Sequence, residues 1–434
     1  MKKLYILPFS VIMLGVISPA SYGVELSPKE QLGEFIFFDQ QLSINNNQAC
    51  AACHGPEAGW TGPESDINAL GAVYEGSISG RFGNRKPPSS AYATASPILH
   101  PIRRSGDFEG GNFWDGRATG EKLGNPAADQ AQGPFLNPLE QALPDSACVV
   151  ERVCNALSYP GLFTQVWGTE ACNISWPADL DEQCSSQQGV VMLSDADRAK
   201  SDQAYDYIAL SIAAYEDSPA VNQFSSKFDH YRQGMASLSP LEARGMRLFN
   251  GKGRCFRCHI SNDMSMGEGP LFTDYTYDNL GVPRNPDNPF YTQLDFNPMG
   301  SNWIDLGLGG FLATRLDYQQ YAPQNLGKQK VPTLRNVDKR PYPGFVKAFG
   351  HNGYFKSLKG IVHFYNTRDV KPRCPDAFTS EADALAQGCW PEPEVASNVN
   401  TTELGNLHLS DAEEDAIVAF LKTLSDGYMA AGQH

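Results

Sequence analysis

Two short motifs constrain this chain more than anything else in its 434 residues: Cys50-Ala51-Ala52-Cys53-His54 and Cys255-Phe256-Arg257-Cys258-His259. Cys-x-x-Cys-His is the attachment signature of c-type haem, in which two thioethers fix the porphyrin and the histidine binds iron. A redox dithiol would need a thioredoxin-like strand–helix setting, and zinc would need a further clustered Cys or His pair. Neither is visible, because His100, His230, His351, His363, His408 and His434 are scattered. Two covalently bound c-type haems are therefore expected, one on Cys50, Cys53 and His54, the other on Cys255, Cys258 and His259.

The compartment agrees. Lys2 and Lys3 precede an apolar run from Leu4 to Ile17, with small residues through Ala20, Ser21 and Gly23. At about 14 residues the run falls short of the roughly 20 that span a bilayer. It reads as a signal peptide over 1–23, placing the mature chain in the periplasm with no membrane span. The six cysteines outside the motifs (Cys148, Cys154, Cys172, Cys184, Cys374 and Cys389) fit three disulfides there, with pairing open. A formal charge of −15 argues against a nucleic-acid partner.

The surroundings of the two motifs echo each other. Leu32 to Phe38 and Ala243 to Phe249 each read as a short amphipathic helix leading into the attachment turn. An apolar-periodic helix spans Ala204 to Tyr215, and Ser239-Pro240 reads as a new helix start. A last helix begins after Ser410, carries Ile417, Phe420, Leu421 and Leu424 on one face and ends at Gly427. The expected fold is mainly α: two cytochrome c-like haem domains, 24–235 and 236–434, packed face to face. Long irregular loops are expected over 261–330 and 370–406.

Further segments carry a resemblance. Phe113-Trp114-Asp115-Gly116-Arg117-Ala118, Gln130-Ala131-Gln132-Gly133-Pro134, Val331-Pro332-Thr333-Leu334-Arg335-Asn336-Val337 and His351-Asn352-Gly353 stand in that order around the haem motifs. The chain resembles the bacterial dihaem cytochrome c peroxidase and MauG superfamily over nearly all its mature length. The resemblance implies that H2O2 reacts at the N-terminal haem, that the C-terminal haem passes electrons, and that Trp114 bridges them. It implies Glu140 as the acid/base and Gln130 as the residue orienting peroxide. These two have the family's order and spacing, although the chain between Arg117 and Gln130 is a few residues longer than the usual pattern.

Three departures bear on subtype. Many of the peroxidases carry a removable histidine about sixteen residues after the first motif, and this chain has none between His54 and His100. An open N-terminal haem is expected. The second ligand of the C-terminal haem is a methionine in the peroxidases and a tyrosine in the MauG branch. The register after His351 points to Tyr365, with His363, Met264, Met266 and Met299 as competitors. His363 and Tyr365, two apart on a helix, face opposite ways. Finally, the resemblance implies calcium held partly by an asparagine, but Lys86 takes that place. An ammonium cannot ligate a cation, which leaves Asn84 or nearby carbonyls.

The expected activity is MauG-like oxidation of aromatic residues on a partner protein. The alternatives are peroxide scavenging with electrons from a cytochrome c or cupredoxin, and a dihaem electron carrier without enzymatic activity.

Overall fold

Two crossed helix pairs organise the chain, and the same local chemistry starts both. The computed structural model describes residues 25–103, 105–262 and 269–429. The signal segment, Met264 and Met266 lie outside the described residues. Ser27 caps helix Pro28–Phe38 and Ser239 caps helix Pro240–Phe249. In each, Glu30 or Glu242 bonds back to the cap and proline opens the first turn.

Helix Pro28–Phe38 crosses helix Asp195–Asp217, and Pro240–Phe249 crosses Asp411–Lys422. Both crossings are made at a glycine. A Cβ on Gly33 would stand 1.9 Å from the Ser211 carbonyl oxygen, and one on Gly245 would stand 1.8 Å from that of Ala416. Tyr215 lies beside Gly33, and Phe420 lies beside Gly245.

One apolar core gathers Ile36, Phe37, Trp60, Phe135, Ile212 and Tyr215. A second gathers Phe249, Phe272, Phe355, Phe364, Trp390 and Phe420. The cores do not divide strictly along the chain. Phe228, on helix Lys227–Arg232, belongs to the second, while Leu271 and Tyr275 belong to the first. A smaller cluster of Leu99, Phe108, Tyr277 and Leu308 ties segments from both halves together. Among the described residues the strands are two short antiparallel pairs, His100–Pro101 with Phe108–Glu109 and Tyr277–Asp278 with Gln329–Lys330, supplemented by isolated bridges.

Two helix bounds differ from the sequence reading. The long helix starts at Asp195 because the Ser194 hydroxyl caps it. The last helix stops at Lys422, short of Gly427: the Thr423 hydroxyl donates to the Phe420 carbonyl, and the chain then turns so that Asp426 meets Asn336. The segments read as loops hold short helices, Gly307–Leu312 and Glu381–Gln387. Disulfides join Cys148 to Cys184, Cys154 to Cys172 and Cys374 to Cys389. No described helix is long and apolar enough to cross a membrane.

Candidate active site

The first motif forms a tight 3-10 turn at Cys50–Ala52 that brings the His54 amide to the Cys50 carbonyl at 3.0 Å. The His54 ring donates from Nδ1 to the Trp60 carbonyl at 3.2 Å, which leaves Nε2 with its lone pair. Burial pushes this imidazole down to about 4, against the pull of the Trp60 carbonyl, so it is neutral at physiological pH. A neutral ring with one nitrogen tied back is what an iron ligand requires.

Cys50, Cys53 and His54 line a cavity together with Trp114, Gln130 and Glu140. Gln130 sits on helix Pro126–Leu136, which Asn125 caps by accepting from two backbone amides. Glu140 lies in the turn after that helix, its amide on the Asn137 carbonyl and its own carbonyl accepting from Ser77. Burial raises the Glu140 carboxyl above its ordinary range, although Arg117 and Asn137 pull the other way. Arg117 is itself steadied, stacked 3.7 Å over the Phe113 ring and paired to Asp115 at 2.9 Å.

Trp114 is 8% exposed and lines this cavity and the one at the second motif. Its indole N–H donates to the Lys86 carbonyl at 2.8 Å. The turn that presents it needs left-handed backbone at Phe113 (φ 62°) and Gly116 (φ 76°). Lys86 also lines both cavities, its ammonium donating to Thr61 Oγ1 at 2.8 Å and to the Pro87 carbonyl at 2.9 Å. Burial pushes that ammonium down to about 7. The Asn84 carbonyl accepts from the Asn288 amide.

The second motif repeats the first. Cys255–Arg257 forms the 3-10 turn, and His259 donates from Nδ1 to the Phe272 carbonyl at 2.8 Å. Tyr365, on helix Leu358–Thr367, lines the cavity with Cys255, Cys258 and His259. His363 turns the other way, its Nδ1 2.9 Å from Glu414. Met299 is exposed and lies outside this lining, and so does His100, which is exposed on its two-residue strand. Burial raises the Tyr365 phenol, so its anion forms only against a cation.

The donor sets fit two haems. Six cysteines are consumed in disulfides, while Cys50, Cys53, Cys255 and Cys258 remain thiols, each pair on a cavity wall beside a half-buried imidazole.

Sequence reasoning missed two features. One is a buried ion network in which Arg85 bridges Asp115 and Asp305, each at 2.6 Å, with His351 3.5 Å from Glu394 beside it. Its members are far apart in sequence, and no local pattern announces them. The other is Glu216, which lines the first cavity from the end of helix Asp195–Asp217. Superposing the ends of the two long helices would have exposed it, since Leu421 holds the matching place.

Two Cys-x-x-Cys-His turns beside crossed helix pairs, with Trp114 lining both cavities, fit a dihaem class of oxidoreductase. The comparisons specify it: the chain belongs to the dihaem cytochrome c peroxidase and MauG family. The family model described as di-haem cytochrome c peroxidase matches residues 27–237. The methylamine utilization protein MauG of Paracoccus denitrificans is 33% identical over 396 residues, 91% of this chain and 88% of the relative. A cytochrome-c peroxidase of a Pseudomonas species is 25% identical, covering 91% of this chain and 80% of the relative. Among solved structures, the diheme peroxidase BthA from Burkholderia thailandensis superposes with a TM-score of 0.65 at 27% identity, covering 93% and 89% of the two chains. The protein is thus an H2O2-dependent dihaem oxidoreductase.

Proposed function

We propose that this is a periplasmic, MauG-like enzyme that uses H2O2 to oxidise aromatic residues of a partner protein. The observation that carries the subtype is Tyr365 on the wall of the second cavity, with His363 turned away to Glu414. In this reading Cys50, Cys53, Cys255 and Cys258 hold the haems by thioether bonds, His54 and His259 are the iron ligands, and Tyr365 is the second ligand at the C-terminal haem. The haem domains are 24–235 and 236–434, face to face across Trp114, with helix Lys227–Arg232 reaching over to the second core. Lys86, already bonded to Thr61 and Pro87, disfavours calcium at that place.

When bound, the haems supply redox-active iron that activates peroxide on one side and exchanges electrons on the other. The chain's own residues do the rest. Glu140 takes the first peroxide proton and returns it to the departing oxygen, a role suited to a carboxyl whose pKa burial has raised. Gln130 orients peroxide with its amide. Trp114, fixed by its bond to the Lys86 carbonyl, carries electrons between the cavities. A phenolate at Tyr365 would be a hard, anionic donor and would favour the higher oxidation states of an iron held there.

One equivalent of H2O2 added to the fully ferric protein tests this, read by optical and Mössbauer spectroscopy. Both iron signals are expected to change without prior reduction, and Glu140→Gln is expected to slow that change by about 10²–10⁴-fold. Reaction only after one haem is reduced would favour the second reading, an activation-dependent cytochrome c peroxidase fed by a small cytochrome or cupredoxin. The peroxidase relatives support that alternative. Failure to bind cyanide at the N-terminal haem would leave an electron carrier.

A further inference from the structure

One buried acid is unused by this assignment. Glu216 is 3% exposed and lines the cavity that holds His54, Gln130 and Glu140. Among the described residues no hydrogen bond or ion pair reaches its carboxyl group, and burial alone pushes its pKa up to about 8. It therefore carries a proton at neutral pH.

The second half shows what a purely structural residue looks like at this position. Gly33 meets Ser211 and Tyr215 as Gly245 meets Ala416 and Phe420, so the residue after each aromatic corresponds: Glu216 in one half, Leu421 in the other. Leu421 lines the second cavity as an apolar wall. The acid replaces leucine only on the side where peroxide is read to react. Packing does not require it there, since leucine serves the same helix crossing in the other half.

Resting on the peroxide reading above, we propose that Glu216 is a proton reservoir of the N-terminal cavity, a carboxylic acid that supplies one of the protons consumed when peroxide is reduced. Reduction of H2O2 to two waters takes up two electrons and two protons. Glu140 only moves a proton that peroxide itself brings, from one oxygen to the other. The O–O bond breaks and the departing oxygen leaves as water. The second oxygen then needs two more protons, with two electrons from the protein substrate or donor. Glu216 gives one of them: its O–H bond breaks, a new O–H bond forms on that oxygen, and solvent returns a proton to the carboxylate. The other proton comes from solvent.

The test uses the ferric holoprotein, one equivalent of H2O2 and excess ascorbate as reductant, followed by stopped-flow absorbance and infrared difference spectroscopy in H2O and D2O. In the unaltered protein a carboxylic-acid C=O band, shifted in D2O, should bleach during the return to the ferric spectrum. Glu216→Gln should abolish that band. It should leave the first optical change and cyanide affinity intact and slow the return by about 100-fold. Glu216→Leu, which copies the second half, should behave like the glutamine variant and keeps the test open should the amide disturb folding. A return at the unaltered rate in both variants, or a C=O band that persists in them, overturns the proposal while leaving the peroxide reading in place. An unaltered protein that does not react with peroxide overturns both.

Discussion

Two side chains on one turn of helix carry the ligand assignment proposed for the second haem. Tyr365 reaches the cavity of Cys255 and His259, and His363 is taken up by Glu414. That division was legible from the sequence, because residues two apart on a helix cannot share a face. Glu216 was not legible, because a glutamate ending an apolar helix looks like ordinary solvated charge until its burial is seen. Tyr365→Met should exchange a hard anionic ligand for a soft neutral one and raise the reduction potential of the C-terminal haem. Spectroelectrochemical titration checks this, and an unchanged spectrum would remove Tyr365 from the iron.

At the scale of elements, each half is closed by a helix crossing whose depth is set by one glycine. The starts of the crossing helices were readable, since Ser27-Pro28 and Ser239-Pro240 carry cap and first-turn proline in sequence. The end of the last helix was not. Its stop depends on Asp426 finding Asn336, a contact across 90 residues that no local signal encodes. Gly245→Ala would drive a methyl into the Ala416 carbonyl, which is backbone and cannot swing aside. The expected cost is about 1–3 kcal/mol, seen as a melting temperature lower by several degrees. Gly33→Ala should behave alike, through Ser211.

Across the whole molecule, the Leu334-Arg335-Asn336 segment fastens pieces that sequence analysis could only name as a motif. Arg335, 1% exposed, donates to both oxygens of Asp229 at 2.7 and 2.9 Å. Asn336 donates to Asp426, which also accepts from Tyr92 in the first half. Burial raises Asp229, but the hydrogen bonds and charge of Arg335 outweigh it and hold the carboxyl below its usual range. A depressed carboxylate contributes stability above its unfolded pKa and loses it as the pH falls through the folded value. Arg335→Leu strands the buried carboxylate and should cost about 3–5 kcal/mol at neutral pH. The difference from the unaltered protein should shrink below roughly pH 4, as urea midpoints at neutral and acid pH would record. The two Cys-x-x-Cys-His turns were plain in the sequence. The division between the two apolar cores was hidden, because Phe228 packs in the second while Leu271 and Tyr275, later in the chain, pack in the first.

The disulfides also say something about how such a chain comes to exist. All three close loops of 15 to 36 residues, so their partners meet early, from short stretches of chain. The two thiol pairs that face the cavities sit closer still, two residues between partners. Any oxidant able to make the first set is able to cross-link the second. On the proposed thioether attachment, ten cysteines have two incompatible fates and maturation becomes a question of order: the motif thiols must stay reduced, or be reduced again, until each has met its porphyrin.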